Sequence, residues 1–190
     1  MVMPRDAAQN RVGRSGSTFR GRDASPKLGR ENINGMTKDV EQRLTKLGLK
    51  LPETAVPVAN YLPFAISGNL VFVSGQLPMK DGKLLFTGIV GEDVSTGEAV
   101  ICARQSALNI IAQLKVACDG DLGRIARIVK LGGFVASVPD FTDHPKVING
   151  ASDLMVEAFG DIGRHARAAV GCPSLPLNAP VEVDAVAELA

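Results

Sequence analysis

Val181-Glu182-Val183-Asp184-Ala185-Val186-Ala187-Glu188-Leu189 alternates without a break. Successive side chains of a strand point to opposite faces, so this period of two puts Val181, Val183, Ala185, Ala187 and Leu189 on one side. Glu182, Asp184, Val186 and Glu188 fall on the other. The stretch reads as a strand with one covered face and one that carries carboxylates. A sheet built around it needs amphipathic helices against its apolar side, and the chain supplies two.

Ser95-Thr96-Gly97-Glu98 opens the first as a capping box, in which serine hydroxyl and glutamate carboxylate satisfy each other's backbone N–H groups. Behind it Val100, Ala103, Ala107, Ile110, Ile111, Leu114 and Ala117 form one stripe that ends at Asp119-Gly120. Asp143 with Pro145 opens the second, through Val147, Ala151, Leu154, Met155, Ala158 and Phe159 to a stop at Gly160. Strand chemistry fills the intervals. Ser67-Gly68-Asn69 turns between Phe64-Ala65-Ile66 and Leu70-Val71-Phe72-Val73, and Asp81-Gly82 turns ahead of Leu84-Leu85-Phe86. Ile125 to Val138 is rich in β-branched residues and interrupted by Gly132-Gly133, a bulge or a close backbone approach. Arg167 to Val170 comes next and Val181 to Leu189 closes the set. The expected fold is α+β in the order β-β-β-α-β-α-β-β. Two helices cover one face of a mixed sheet and a partner subunit covers the other.

The 190 residues are 45% hydrophobic and 4% aromatic, with a net charge of +1. A chain of this length buries enough surface to hold a core without disulfides or a structural metal. With no tryptophan and one tyrosine, Tyr61, it lacks the stacking platforms of a dedicated nucleic-acid binder. The charge is uneven. Residues 1–35 carry six arginines and one lysine against Asp6, Asp23 and Glu31, a balance of +4 that leaves −3 for the rest. Poor in apolar residues and without periodicity, they read as a disordered basic extension. It is either a tail without function or an arm for RNA or a membrane surface. Its arginines also suit a transit peptide, against which its acidic residues argue, and Met36 is an alternative start. Residues 36–56 read as a lead-in helix, Thr37 to Leu47 closed by Gly48, followed by a linker; 57–190 form the folded domain. With neither a signal region nor an apolar run of roughly 18 residues, a cytoplasmic protein that does not span a membrane is expected.

Cys102 and Cys118 sit about 160° apart around one helix, Cys172 stands alone beside Pro173, and His144 and His165 form no ligand pair. No metal site is expected, and the thiols suit a reducing compartment. Arg167 interrupts the apolar run Ala166 to Val170. It is either an exposed edge position or a planar fork that takes a carboxylate through two parallel hydrogen bonds. If the last two strands pair, Arg167 and Asp184 converge on one cavity. Ser74-Gly75-Gln76 ends a buried strand where backbone N–H groups are open to a ligand. It lacks the flanking glycines of a nucleophile elbow.

Together Val73-Ser74-Gly75-Gln76-Leu77-Pro78, Ala103-Arg104-Gln105-Ser106-Ala107-Leu108-Asn109, Ala166-Arg167-Ala168 and Leu175-Pro176 through Val181 to Ala187 resemble the RidA family, also called YjgF or endoribonuclease L-PSP-like. The resemblance spans about residues 57–190. It implies a chorismate-mutase-like fold, a homotrimer with clefts between subunits, and hydrolysis of 2-imino acids or enamines to 2-keto acids and ammonia without a cofactor. By the same resemblance Arg167 grips the substrate carboxylate, Tyr61, Ser74 and Gly75 line the cleft, and Asp184 stands where a glutamate attends the hydrolytic water. Ala169 replaces the cysteine of archetypal deaminases, and the cleft asparagine corresponds to Asn149, Ser152 or Asp153. Two further readings remain open: a non-catalytic module that binds small anionic carboxylates such as 2-keto acids, and RNA cleavage or translation inhibition. The acidic balance of the domain favours a small anionic metabolite held by Arg167 over nucleic acid.

Overall fold

The computed structural model describes residues 33–54 and 61–190, with side chains described from Val40 onward. The basic extension therefore lies outside the described residues except for its last positions. These form the start of a helix, α1 (Ile33–Lys46), which begins ahead of the expected Thr37 and ends where Gly48 adopts a φ of 70°. Val40 and Leu44 anchor it to the core.

Seven strands follow in the chain: β1 (Phe64–Ser67), β2 (Leu70–Gln76), β3 (Met79–Lys80), β4 (Lys83–Leu84), β5 (Ile125–Ala136), β6 (Ala166–Cys172) and β7 (Val181–Leu189). Two helices interleave with them, α2 (Thr96–Ala117) and α3 (His144–Phe159). The main sheet has the order β1-β2-β7-β5-β6, all antiparallel except the β5–β6 pair. That parallel step needs a crossover, and α3 provides it. Both helices pack on one face, over Val71, Val73, Ile128, Leu131, Val181, Val183 and Ala185. The capping box forms as read: Ser95 N–H donates to Glu98 Oε2 at 2.8 Å, and Glu98 N–H to Ser95 Oγ at 3.3 Å.

Three expectations change. The third strand, expected at Leu84 to Phe86, does not join the main sheet; it shrinks to β4, which pairs only with β3. The cause lies on α2. Asn109 Nδ2 donates to the carbonyls of Leu77 and Met79 at 2.9 and 3.0 Å, and Gln105 Nε2 to that of Met79 at 3.2 Å. Side-chain amides thus satisfy the backbone that a ladder would otherwise have used, and Pro78 has no N–H to offer one. Second, of the two readings of Gly132-Gly133 the close approach holds and the bulge does not. The register shifts of β5 fall upstream, between Ile125 and Arg127 and between Ile128 and Lys130, and the two glycines pair regularly where side chains crowd them. Third, β6 and β7 do not pair, because β5 lies between them.

Candidate functional site

The intervening strand decides where the predicted residues point. Across paired strands, opposed residues share a face. Arg167 stands opposite Leu131, which stands opposite the buried Ala185, so the guanidinium lies on the helix side. Asp184 stands opposite Gly132 and hence Ala168, on the open side. Arg167 and Asp184 therefore do not converge within one chain, which corrects the single-cavity expectation.

On the helix side, Arg167 is exposed at the sheet edge but tethered. Its Nη1 donates to Asn149 Oδ1 at 2.8 Å and to Ser152 Oγ at 3.0 Å, both on α3. Residues three apart on a helix share a face, which is how one turn of α3 supplies both acceptors. Asp153, the third candidate for the asparagine position, is exposed and belongs to no bond of this group. Ser152 Oγ also lies 3.1 Å from His165 Nε2, whose Nδ1 is 2.6 Å from the carbonyl of Gly163. No other hydrogen bond reaches Arg167 among the described residues. Its Nε and Nη2 keep their donors for an anion, the fork geometry that suits a carboxylate.

The open side carries a second group. At the end of β2, Val73 pairs with Ala185 and Gln76 with Val183, so Ser74 and Gly75 together oppose Asp184. This is a β-bulge, two residues against one. The hydroxyl of Ser74 donates to the carbonyl of Leu62 at 2.7 Å and its N–H to that of Pro63 at 3.0 Å, fastening the chain next to Tyr61. Ser74 thus braces the wall of the site, and Tyr61, 62% exposed, stands one residue from that brace. On the far side of β7, Gly132 N–H donates to Asp184 Oδ1 at 2.9 Å.

Glycine is required on both flanks of β7. A Cβ at Gly75 would overlap the carboxylate of Glu182, and one at Gly132 would come within 2.5 Å of Asp184 Oδ1. Both Glu182 and Asp184 are half-buried, each folded over a bare backbone. Burial pushes the Glu182 carboxyl above its usual range, and the charge of Asp184 adds to the effect. A carboxyl raised in this way suits proton transfer nearer neutrality. Glu182 was missed as a site residue because alternation gives it the same face as Asp184 and Glu188 and no distinction from them. The available signal was the glycine of Ser74-Gly75-Gln76, whose partner depends on the bulge. Phe72, Phe134 and Val170, 44, 36 and 47% exposed, make the same face apolar around the acidic pair.

Ala169 is partly buried against the core, on the helix side opposite Gly133. Cys172 lies on the open side, its thiol pushed up chiefly by burial and further by Glu182. Among the described residues no group of histidine, cysteine and carboxylate side chains could hold a metal, and no helix is long and apolar enough to cross a membrane.

Known proteins match along these same elements. The family model described as "YjgF/chorismate mutase-like, putative endoribonuclease" matches residues 41–189, from within α1 to the end of β7. A crystal structure of a protein of unknown function from Agrobacterium tumefaciens is 54% identical, with a TM-score of 0.79 over 84% of this chain and 98% of that one. Protein TCP17 of Trypanosoma cruzi is 47% identical over 151 residues, 79% of this chain and 94% of its own length. A 2-iminobutanoate/2-iminopropanoate deaminase of Dermatophagoides farinae is 27% identical over 139 residues, 73% of this chain and 92% of its own. The motifs, the mixed sheet with its helices on one face and these matches agree, and the chain belongs to the YjgF/chorismate mutase-like family.

Proposed function

We propose that the protein hydrolyses 2-imino acids and their enamine tautomers to 2-keto acids and ammonia, without a cofactor, in clefts between the subunits of a homotrimer. The observation that carries this reading is the tethered guanidinium of Arg167, whose Nη1 is occupied by Asn149 and Ser152 while its Nε and Nη2 remain open. A 2-imino acid presents a carboxylate next to its electrophilic carbon. Once the imine nitrogen is protonated, a positioned water suffices as nucleophile, so the protein need only orient and move protons. Glu182 and Asp184 are the carboxylates to take a proton from the water and return one to the departing ammonia. The relative named 2-iminobutanoate/2-iminopropanoate deaminase supports the same chemistry.

Arg167 and the acidic pair lie on opposite faces of one chain's sheet. A site that uses both is completed by a second copy, the helix edge of one protomer meeting the open face of another. Phe72, Phe134 and Val170 give that face the apolar area such a contact buries. RNA cleavage fits poorly, since Glu182 and Asp184 stand beside Gly75 and Gly132 while the cations of this face, Arg127 and Lys130, lie further along β5 towards Glu188.

The test generates 2-aminoacrylate and longer-chain imines in situ with a dehydratase or an amino-acid oxidase and follows keto-acid release against a trapping amine. Acceleration that Arg167→Ala removes is the expected result. No acceleration with any imine, or equal acceleration by the variant, refutes the enzyme. Saturable, Arg167-dependent binding of 2-keto acids without turnover would leave a carboxylate-binding module. Light scattering tests the assembly, and a monomer would overturn the cleft.

A further inference from the structure

We propose that Ser152 and His165 are positioning residues that select which edge of Arg167 receives the carboxylate; this rests on reading Arg167 as the carboxylate fork. The hydrogen bonds assign their own direction. A carbonyl oxygen only accepts, so His165 Nδ1, 2.6 Å from the carbonyl of Gly163, holds a proton. In the tautomer with its one proton on Nδ1, Nε2 is an acceptor, to which the Ser152 hydroxyl at 3.1 Å donates. With its proton committed there, Ser152 Oγ turns lone pairs towards Arg167 Nη1 at 3.0 Å. The second proton of Nη1 goes to Asn149 Oδ1 at 2.8 Å.

A guanidinium has two edges able to take a carboxylate through parallel N–H bonds, one formed by Nη1 and Nη2 and one by Nε and Nη2. Both Nη1 protons are spent, so only the Nε/Nη2 edge remains. Without the acceptor at His165, the Ser152 hydroxyl is free to rotate its proton towards the guanidinium. It then competes with the arrangement that holds Nη1 away from the ligand. The sequence form of the device is Asn149 and Ser152, three apart on α3, facing His165 and Arg167, two apart along the segment entering β6.

The experiment titrates 2-oxobutanoate into the full chain and into Arg167→Ala, Ser152→Ala, His165→Phe and His165→Gln by calorimetry. Arg167→Ala is expected to abolish binding. Losing one link of the chain should weaken it about 3- to 10-fold in Ser152→Ala and His165→Phe, the range of a single hydrogen bond. His165→Gln restores an acceptor near the position of Nε2 and should stay within about 2-fold of the unaltered protein. Unchanged affinity in Ser152→Ala and His165→Phe, with Arg167→Ala silent, overturns the positioning role and leaves the carboxylate site standing. Absence of any Arg167-dependent binding overturns the carboxylate reading and this inference with it. A readout free of ligand and of variant stability is the side-chain nitrogen–proton NMR correlation of the unaltered protein. A His165 ring protonated on Nδ1 alone is expected, and one that carries a proton on Nε2 refutes the proposal.

Discussion

Replacing Gly75 by alanine tests whether the Glu182 carboxylate is what keeps that position bare. Gly75 has no positive φ, so alanine meets no backbone penalty there. The new methyl would overlap Glu182 Oε1 and lie 2.7 Å from Cδ and 3.0 Å from Cγ, so the side chain must swing off β2. Overpacking costs about 1–3 kcal/mol, and a flexible side-chain end yields at the low part of that range, about 1–2 kcal/mol. For a folded part of about 150 residues this lowers Tm by roughly 2–8 °C. The assay is thermal unfolding of four proteins: unaltered, Gly75→Ala, Glu182→Ala and the double variant. In the Glu182→Ala background the three nearest contacts of the methyl are gone, and Gly75→Ala should be neutral or stabilise by about 0.4–1 kcal/mol through the unfolded chain. The difference between backgrounds is the coupling energy. An equal loss in both would refute the reasoning and assign the glycine to the bulge backbone instead. If Glu182 handles protons in turnover, displacing it by more than about 1 Å should also cost on the order of 100-fold in rate.

The raised Glu182 carboxyl sets a pH dependence: the folded protein holds its proton to higher pH than the unfolded chain, so stability falls as pH rises from the ordinary glutamate range through the elevated folded value. Glu182→Gln has no proton to lose, and its Tm should gain on the unaltered protein over that window; a constant difference across pH would count against the shift. Asn109→Leu strips the amide from the carbonyls of Leu77 and Met79, which keep the Met79 N–H and Gln105 Nε2 as donors, and should destabilise by about 1–3 kcal/mol in urea, the net worth of two hydrogen bonds. A loss under about 0.5 kcal/mol would mean water replaces the amide. Burial pushes the thiols of Cys102 and Cys118 to about 12 and about 11 and raises that of the less buried Cys172 as well, so a thiol reagent at pH 8 should modify Cys172 slowly and ahead of the other two, which react only after unfolding. Native labelling of Cys102 would refute that order.

What the sequence made legible was local. The capping box at Ser95, the stop at Gly160 and the alternation of β7 each depend on residues within a few positions of one another, and each appears as read, whereas the stripe of α2 widens to a helix buried on every side from Ser106 to Leu114. The fold and family followed from motifs in order. The errors share another origin, since they depend on what packs beside a segment. Leu84 to Phe86 has strand character, but two amides of α2 had already claimed the neighbouring carbonyls. Arg167 and Asp184 come from strands consecutive in sequence, yet β5 separates them and sends one side chain to each face. Glu182 became distinguishable only when the bulge placed Gly75 beneath it. His165 and Ser152 gave no signal alone, because their meaning lies in a chain of donors and acceptors that only the crossover helix brings together.

The bulge at Ser74-Gly75 makes the motif a matter of length as well as composition. Upstream of it Val71 and Val73 face the helices, and Gln76 is brought to the register of Val183 only because one extra residue is absorbed on the way. Deleting either Ser74 or Gly75 would remove the bulge and leave one residue opposite Asp184, with Gln76 still opposite Val183 and the chain beyond it in phase. A chain may therefore exchange the serine or the glutamine and still close its strand in phase. Losing one residue there would keep the frame of the sheet and take away the bulge that seats Gly75 beneath Glu182, whereas gaining one would need a further irregularity to hold the frame.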